Sequence, residues 1–301
     1  MPYRLGRAVT AIVVVALLST ACSGSSTDRE GGNEGGVALD PAGTLWFSRV
    51  GSEGLPTLYQ IDLGTGVAEQ VSDDPAAGVA WSHDRLRMAI TGYVDGEPRV
   101  WVTGAYADMD FVSDQSGSSP RWSPDCRRLV HVQWDAGRSS VAIVDLQQGS
   151  TETLTDPNHL ASFPDWSPVE DRIAFAWRSD SAGSDDVAIL DLESGVWVVV
   201  VRDGFDSHPR WSPDGEWIAF TTTVDGRPQI ALLGVDGEEV RVITSGDRGA
   251  QFPVWSPDGE WIAHETSDGI ALVEAGGGST RTLEVDGIPT DWTGDDRGTC
   301  S

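Results

Sequence analysis

PRWSPDGEWIAF at residues 209 to 220 and PVWSPDGEWIA at 253 to 263 are near-copies of one another. Working outward, the same text surrounds Trp81 (VAWSHD), Trp122 (PRWSPD), Trp166 (PDWSPV) and Trp292 (PTDWTGDD), so six tryptophans, with Trp211 and Trp255, mark a repeat. Their spacings are 41, 44, 45, 44 and 37 residues. That is the length of one four-stranded propeller blade.

Each period has the same internal order. After the turn comes an apolar strand, as at 173 to 176, 217 to 220 and 261 to 264. A second follows a polar turn, as at 187 to 190 and 229 to 233, and a Gly-bearing turn such as Asp236-Gly237 leads to a last short strand such as 240 to 244. Short apolar strands joined by Asp-Gly and Ser-Gly turns are hairpins in series, so each repeat reads as an antiparallel meander. Residues 45 to 49, 57 to 61 and 68 to 72 supply three strands of a blade that lacks its Trp-bearing first strand, and residues 290 to 292 supply that strand. The expectation is an all-β, six-bladed propeller of four-stranded antiparallel blades, its ring closed by the C-terminal strand beside the N-terminal ones.

The text P-x-W-S-P-D-G-x-x-I-A-F resembles the TolB-type propeller repeat over about residues 41 to 294. The resemblance implies that Trp81, Trp122, Trp166, Trp211, Trp255 and Trp292 fill the space between neighbouring blades. Departures fall in turns: Ser82-His83-Asp84, Cys126 in place of the turn glycine, and Pro168-Val169-Glu170. TolB proteins are periplasmic and unlipidated and carry an α/β domain before the propeller, so the resemblance implies fold and not their role beside a peptidoglycan-associated lipoprotein. The same repeat forms the gating propeller of prolyl oligopeptidase-like peptidases, whose catalytic serine sits in a separate hydrolase domain.

The N-terminus reads as an address. Arg4 and Arg7 precede an apolar run from Ala8 to Leu18, and Ser19-Thr20-Ala21-Cys22 follows. The run is too short to span a membrane and has the layout of a secretory signal. The cysteine after small residues resembles a bacterial lipobox, with Ser19 where leucine is usual. An ordinary cleaved signal leaving Cys22 as a spare thiol is the alternative. The expected organisation is a lipoprotein signal peptide at 1–21, a Gly/Ser-rich tether at 22–40 beginning with lipidated Cys22, the propeller at 41–294 and a tail at 295–301. The predicted location is the outer face of the bacterial cytoplasmic membrane, or the outer membrane in a diderm, with the bilayer engaged through the acylated Cys22.

The 301 residues carry 47 acidic and 20 basic side chains, all of the latter arginine, for a net charge of −27. Loss of Arg4 and Arg7 with the signal would make it −29. Such a surface repels phosphates, so a nucleic-acid partner is not expected. Arginine in place of lysine matches the codon bias of a GC-rich genome.

A propeller presents ligands at the mouth of its central channel, on the loops that enter the innermost strands. Those loops are predicted at 73 to 79, 115 to 120, 156 to 164, 203 to 209, 246 to 253 and 285 to 289. Asp73, Asp74, Asp156, His159, Asp206, His208, Arg248 and Gln251 are their polar candidates. The residues before the repeat tryptophans are Ala80, Arg121, Asp165, Arg210, Val254 and Asp291. Arg-Asp-Arg on consecutive repeats reads either as a site for an acidic or zwitterionic group or as an ion-pair belt. The acid pairs Asp73-Asp74, Asp185-Asp186 and Asp295-Asp296 lack the spacing of a calcium loop and read as solvated turns. No metal or other cofactor is predicted.

No G-x-S-x-G elbow occurs, and His264-Glu265-Thr266-Ser267-Asp268 has Asp where a zincin needs a second His. Cys126 and Cys300 form an even pair in an exported chain, a disulfide candidate weighed against two unpaired thiols. The leading expectation is a non-enzymatic binding or scaffold module for an envelope protein, peptide or glycan. The alternatives are a hydrolase or lyase whose channel-mouth site is assembled from residues remote in sequence, and a passive assembly factor.

Overall fold

The computed structural model describes residues 41–51, 54–104, 110–112, 115–156, 159–178, 183–201, 205–237, 239–295 and 298–300. The signal segment 1–21, Cys22 and the tether 22–40 lie outside the described residues.

The described residues are strand and turn, arranged as antiparallel sheets around a channel. The reason lies in the pattern within each repeat. Middle strands such as Arg172–Arg178 carry a continuous buried run, Ile173 to Ala176, because a blade is covered on both faces by its neighbours. The outermost strands face solvent and are short: Ser150–Thr153 is exposed along its whole length. Short polar strands of this kind blunt a sheet edge. Trp197–Val201 is the more apolar exception.

The Ser-Pro-Asp turn makes the sharp return after each innermost strand. Ser212 Oγ donates to Asp214 Oδ1 and accepts the Trp217 N–H at 2.9 Å, while Asp214 Oδ1 accepts the Glu216 N–H at 3.0 Å. Ser256 and Asp258 repeat this, as do Ser123 and Asp125. Gly215 and Gly259 close their turns at φ 74° and 75°. Where the turn glycine is replaced, Arg85 and Cys126 take the same left-handed backbone at φ 54° and 55°. That costs roughly 1 kcal/mol each, and the turn's own hydrogen bonds hold it.

Five of the six repeat tryptophans sit between adjacent sheets. Trp211 is buried among Ala174, Val187 and Ile189 of the preceding sheet and Ile218 and Phe220 of its own. Trp122, Trp166 and Trp255 occupy equivalent seams, and Trp292 packs between Val254 and Leu272 on one side and Leu45 and Phe47 on the other. Trp81 is half-buried against Trp46, with ring centroids 5.4 Å apart. Two indoles also bridge seams by hydrogen bond: Trp122 Nε1–H to Ala80 O at 2.9 Å and Trp255 Nε1–H to Arg210 O at 3.0 Å.

The number of blades is corrected by the sheet topology. There are five sheets, not six: four of four strands, and one of seven in the order Ile288–Thr293, Thr44–Val50, Pro56–Asp62, Val67–Trp81, Arg87–Val94, Glu97–Gly104, Asp110–Phe111. Residues 73 to 79, expected as a loop, are the middle of the 15-residue strand Val67–Trp81. Its first half pairs with Pro56–Asp62 and its second with Arg87–Val94. The segment Ser72-Asp73-Asp74-Pro75-Ala76-Ala77 offers no left-handed residue to break the strand, and Pro75 biases Asp74 toward extended backbone. Two repeats therefore share one double-width blade, with Trp46, Leu58, Val79 and Ile90 packed between its halves.

The ring closes where Ile288–Thr293 pairs antiparallel with Thr44–Val50, setting Leu45 opposite Trp292 and Trp46 opposite Asp291. Trp292 Nε1–H donates to Ala42 O at 2.8 Å, and Trp46 Nε1–H to Thr293 Oγ1 at 3.3 Å. Beyond it, Arg85 holds the Gly294 carbonyl, and Cys300 is joined to Cys126 with Cα atoms 5.5 Å apart, closing 174 residues.

Two outcomes follow for urea unfolding. Trp292→Ala removes a buried wedge at the closing seam and is expected to cost about 3–5 kcal/mol, whereas Trp292→Phe, losing chiefly the hydrogen bond, costs about 1 kcal/mol; equal costs would mean the seam is not closed by this side chain. Cys126→Ser with Cys300→Ser is expected to cost about 2–5 kcal/mol, since a loop this long is worth about 5 kcal/mol in the chain-entropy account. Thiol titration of the denatured, unreduced protein should find neither cysteine reactive; two thiols besides Cys22 would contradict the bridge.

Candidate functional site

The channel is divided at its waist by charged side chains from the innermost strands. Asp165 stands between two arginines: its Oδ1 lies 3.3 Å from Arg121 Nε and 3.5 Å from Arg210 Nη1. Its Oδ2 accepts the Trp211 N–H of the next sheet at 2.8 Å. Asp291 makes the corresponding clamp from the closing strand to the next repeat, accepting the Trp81 N–H at 2.7 Å and the Trp292 N–H at 2.8 Å. The Arg-Asp-Arg pattern is thus drawn together as an ion-pair belt, and both carboxylates also tie one repeat to the next.

Burial sets the electrostatics of this belt. Loss of water pushes the Asp165 carboxyl up to about 7, against the opposing pull of Arg121 and the Trp211 N–H. It raises Asp291 and lowers Arg121 in the same sense, each opposed by the other's charge.

Below the waist, on the side of the Ser-Pro-Asp turns, lies a cavity of about 360 Å³ bounded by Asp165, Asp291, His83, Pro213 and Gly298 of the bridged tail. Above it, on the side of the entering loops, lies a cup of about 340 Å³. Arg121, Arg210 and Thr290 face both.

The cup is shaped by a repeated backbone device. Ser119, Phe163, His208 and Phe252 each precede the proline of P-x-W, and all four have left-handed backbone at φ 54°, 51°, 55° and 57°. This runs against the extended preference of a residue before proline. The pairing register shifts at each of these positions, so each is a bulge in the innermost strand. Threonines of the preceding repeats steady two bulges: Thr91 Oγ1 accepts the Ser119 N–H at 3.1 Å and Thr221 Oγ1 the Phe252 N–H at 3.2 Å. All four side chains line the cup, and three form an aromatic wall, with ring centroids 3.7 Å apart for Phe163 and His208 and 4.2 Å for His208 and Phe252. His208 Nδ1 meets Ser207 Oγ at 2.9 Å, and desolvation lowers its pKa to about 3, so it is a neutral ring.

Of the predicted site residues, Arg121, Arg210 and His208 line the cup, and Asp165 and Asp291 lie beneath it. The other loop candidates are elsewhere. His159 packs on Trp177 with centroids 5.4 Å apart, Asp206 is fully buried with its N–H on Asp185 O, and Arg248 pairs with Asp268 at 3.0 Å on the surface. Gln251 donates to Glu265 at 2.8 Å, and Asp73 and Asp74 belong to the long strand. Phe163, Phe252, Ser119 and Trp134 of the cup were not among the sequence candidates. The signal for the first three is the variable residue just before the proline.

The sign of the His208 effect is fixed by its depressed pKa. The unfolded chain takes up a proton near 6.5 while the folded ring resists it until about 3, so this contribution to stability is complete above 6.5 and is lost as pH falls toward 3. NMR of the imidazole should show His208 neutral at pH 5; a titration near 6 would contradict its burial.

Comparison with known proteins agrees with this architecture. Residues 104–286 match the TolB β-propeller domain family. An uncharacterized protein of Agrobacterium fabrum is 30% identical over 117 residues, 38% of this chain and 39% of the relative. The Tol-Pal system protein TolB of Francisella tularensis subsp. mediasiatica is 25% identical over 126 residues, 42% of this chain and 29% of the relative. The matched stretches thus span well under half of either relative's length. Among solved structures, TolB from Acinetobacter baumannii superposes with a TM-score of 0.72 at 19% identity, over 84% of this chain and 67% of that one. The chain belongs to the TolB β-propeller family.

Proposed function

We propose that this protein is a non-enzymatic binding module, anchored to the outer face of a bacterial membrane by lipid on Cys22, that holds an envelope protein, peptide or glycan at the upper mouth of its channel. The cup carries the reading: a concave, mainly apolar site with a few convergent polar groups, built on the rigid innermost strands of the ring. The Tol-Pal name of a relative supports an envelope setting. The net charge of −27 argues against a nucleic-acid ligand. A hydrolase or lyase would need an acid or base poised at the cup; its one histidine, His208, lies between two phenylalanines with its pKa lowered to about 3 by desolvation, which makes it a poor proton acceptor near neutral pH.

The test is photo-crosslinking in the native envelope from p-benzoylphenylalanine at Trp134, an exposed residue of the cup wall. A discrete adduct is expected from this position and not from Val240 on an outer strand, and the Cys22→Ser variant should leave the membrane fraction. No adduct, or the same adducts from both positions, would overturn the reading.

A further inference from the structure

We propose that the cup takes a carboxylate carried on an aromatic or apolar body, with the carboxylate on Arg210 and the body against Phe163, His208 and Phe252. This rests on the cup being the binding site and adds the chemistry of what it binds.

The first observation is the charge of the lining. The chain has 47 acidic side chains, yet among the described residues no carboxylate lines the cup, and its charged lining residues are Arg121 and Arg210. The two carboxylates that balance these arginines, Asp165 and Asp291, lie beneath the floor, so an anion entering the cup meets guanidinium before carboxylate.

The second is that the two arginines are differently engaged. Each of the three nitrogens of Arg121 has a partner, Nη1 on Pro120 O at 2.9 Å, Nη2 on Thr290 O at 3.1 Å and Nε 3.3 Å from Asp165. The Arg210 side chain has one polar contact among the described residues, Nη1 to Asp165 Oδ1 at 3.5 Å, on an oxygen already shared with Arg121. Its guanidinium faces the cup with donors to spare, and a guanidinium fork matches a carboxylate in two parallel hydrogen bonds.

The third is the wall. Phe163, His208 and Phe252 present neutral ring surface, and Thr91, Ser118 and Ser119 also line the cup. A volume of about 340 Å³ admits one ring and its acid group. The carboxylate belongs either to a free organic acid or to the C-terminus of a peptide.

Isothermal titration of the full chain decides this, with 3-phenylpropionate and its amide as probes, beside a hexapeptide ending in phenylalanine with a free or amidated terminus. The acid should bind at least about tenfold more tightly than the amide. Ser119→Asp, which places an anion in the cup at a left-handed position that Asp tolerates, should weaken acid binding about tenfold more than Ser119→Asn. Arg210→Met, its fold checked by near-ultraviolet circular dichroism, should erase the preference for acid over amide. Amide binding as tight as acid, equal effects of the two Ser119 variants, or no binding of any probe would overturn the proposal. A free-terminus peptide that outbinds 3-phenylpropionate identifies a chain terminus as the source; equal affinities identify a small acid. An envelope adduct from Trp134 that the acid neither joins nor displaces would leave the binding module standing and sink the carboxylate. Acid selectivity without any adduct would do the reverse.

Discussion

Everything in this molecule depends on one antiparallel pairing between residues at opposite ends of the propeller. No blade can bury its faces unless a neighbour stands on each side, and the ring supplies two neighbours to every blade only when Ile288–Thr293 lies beside Thr44–Val50. The pairing is reinforced on each side of the backbone. The Trp292 indole wedges the seam, Asp291 ties the closing strand to the next repeat through the Trp81 N–H, and the tail beyond is bolted to Cys126. These reinforcements differ in kind, so the seam answers separately to packing, to burial of charge and to redox state.

The belt at the channel waist does two jobs with one set of groups. Buried acids are costly, and Asp165 and Asp291 offset that cost by accepting backbone N–H groups from the next repeat as well as by facing arginine. Having been placed there for cohesion, the carboxylates balance the arginines from beneath and leave the upper side of Arg210 facing ring surfaces. The asymmetry between the two mouths comes from this: among the described residues the acids line the lower cavity and not the cup. The large negative charge of the chain therefore describes its exterior and its turns and not the cup.

Much of this was legible in the sequence, for a physical reason. Trp-Ser-Pro-Asp-Gly encodes a seam residue, a cap, a fixed φ, a second cap and a left-handed turn in consecutive positions, so its recurrence reports blade after blade. The Arg121-Asp165-Arg210 pairing was legible because position before the repeat Trp fixes direction into the channel. The blade count was not, since whether 73 to 79 turns or continues as strand depends on the absence of a left-handed residue there, and the repeat text does not report on it. The cup was half legible. His208 stood out by chemistry, but Phe163 and Phe252 look like core residues until the bulge before each proline turns them to the channel.

The closing pairing also has an order in time. Trp46 leaves the ribosome 247 residues before Thr293, its partner in the finished seam. Until then the edge of Thr44–Val50 that awaits Ile288–Thr293 is an unpaired template on a nascent chain, long enough to recruit a stray strand. A protein built this way is most exposed to misassembly just before its closing strand is made, and a translation product lacking that strand carries the open edge permanently.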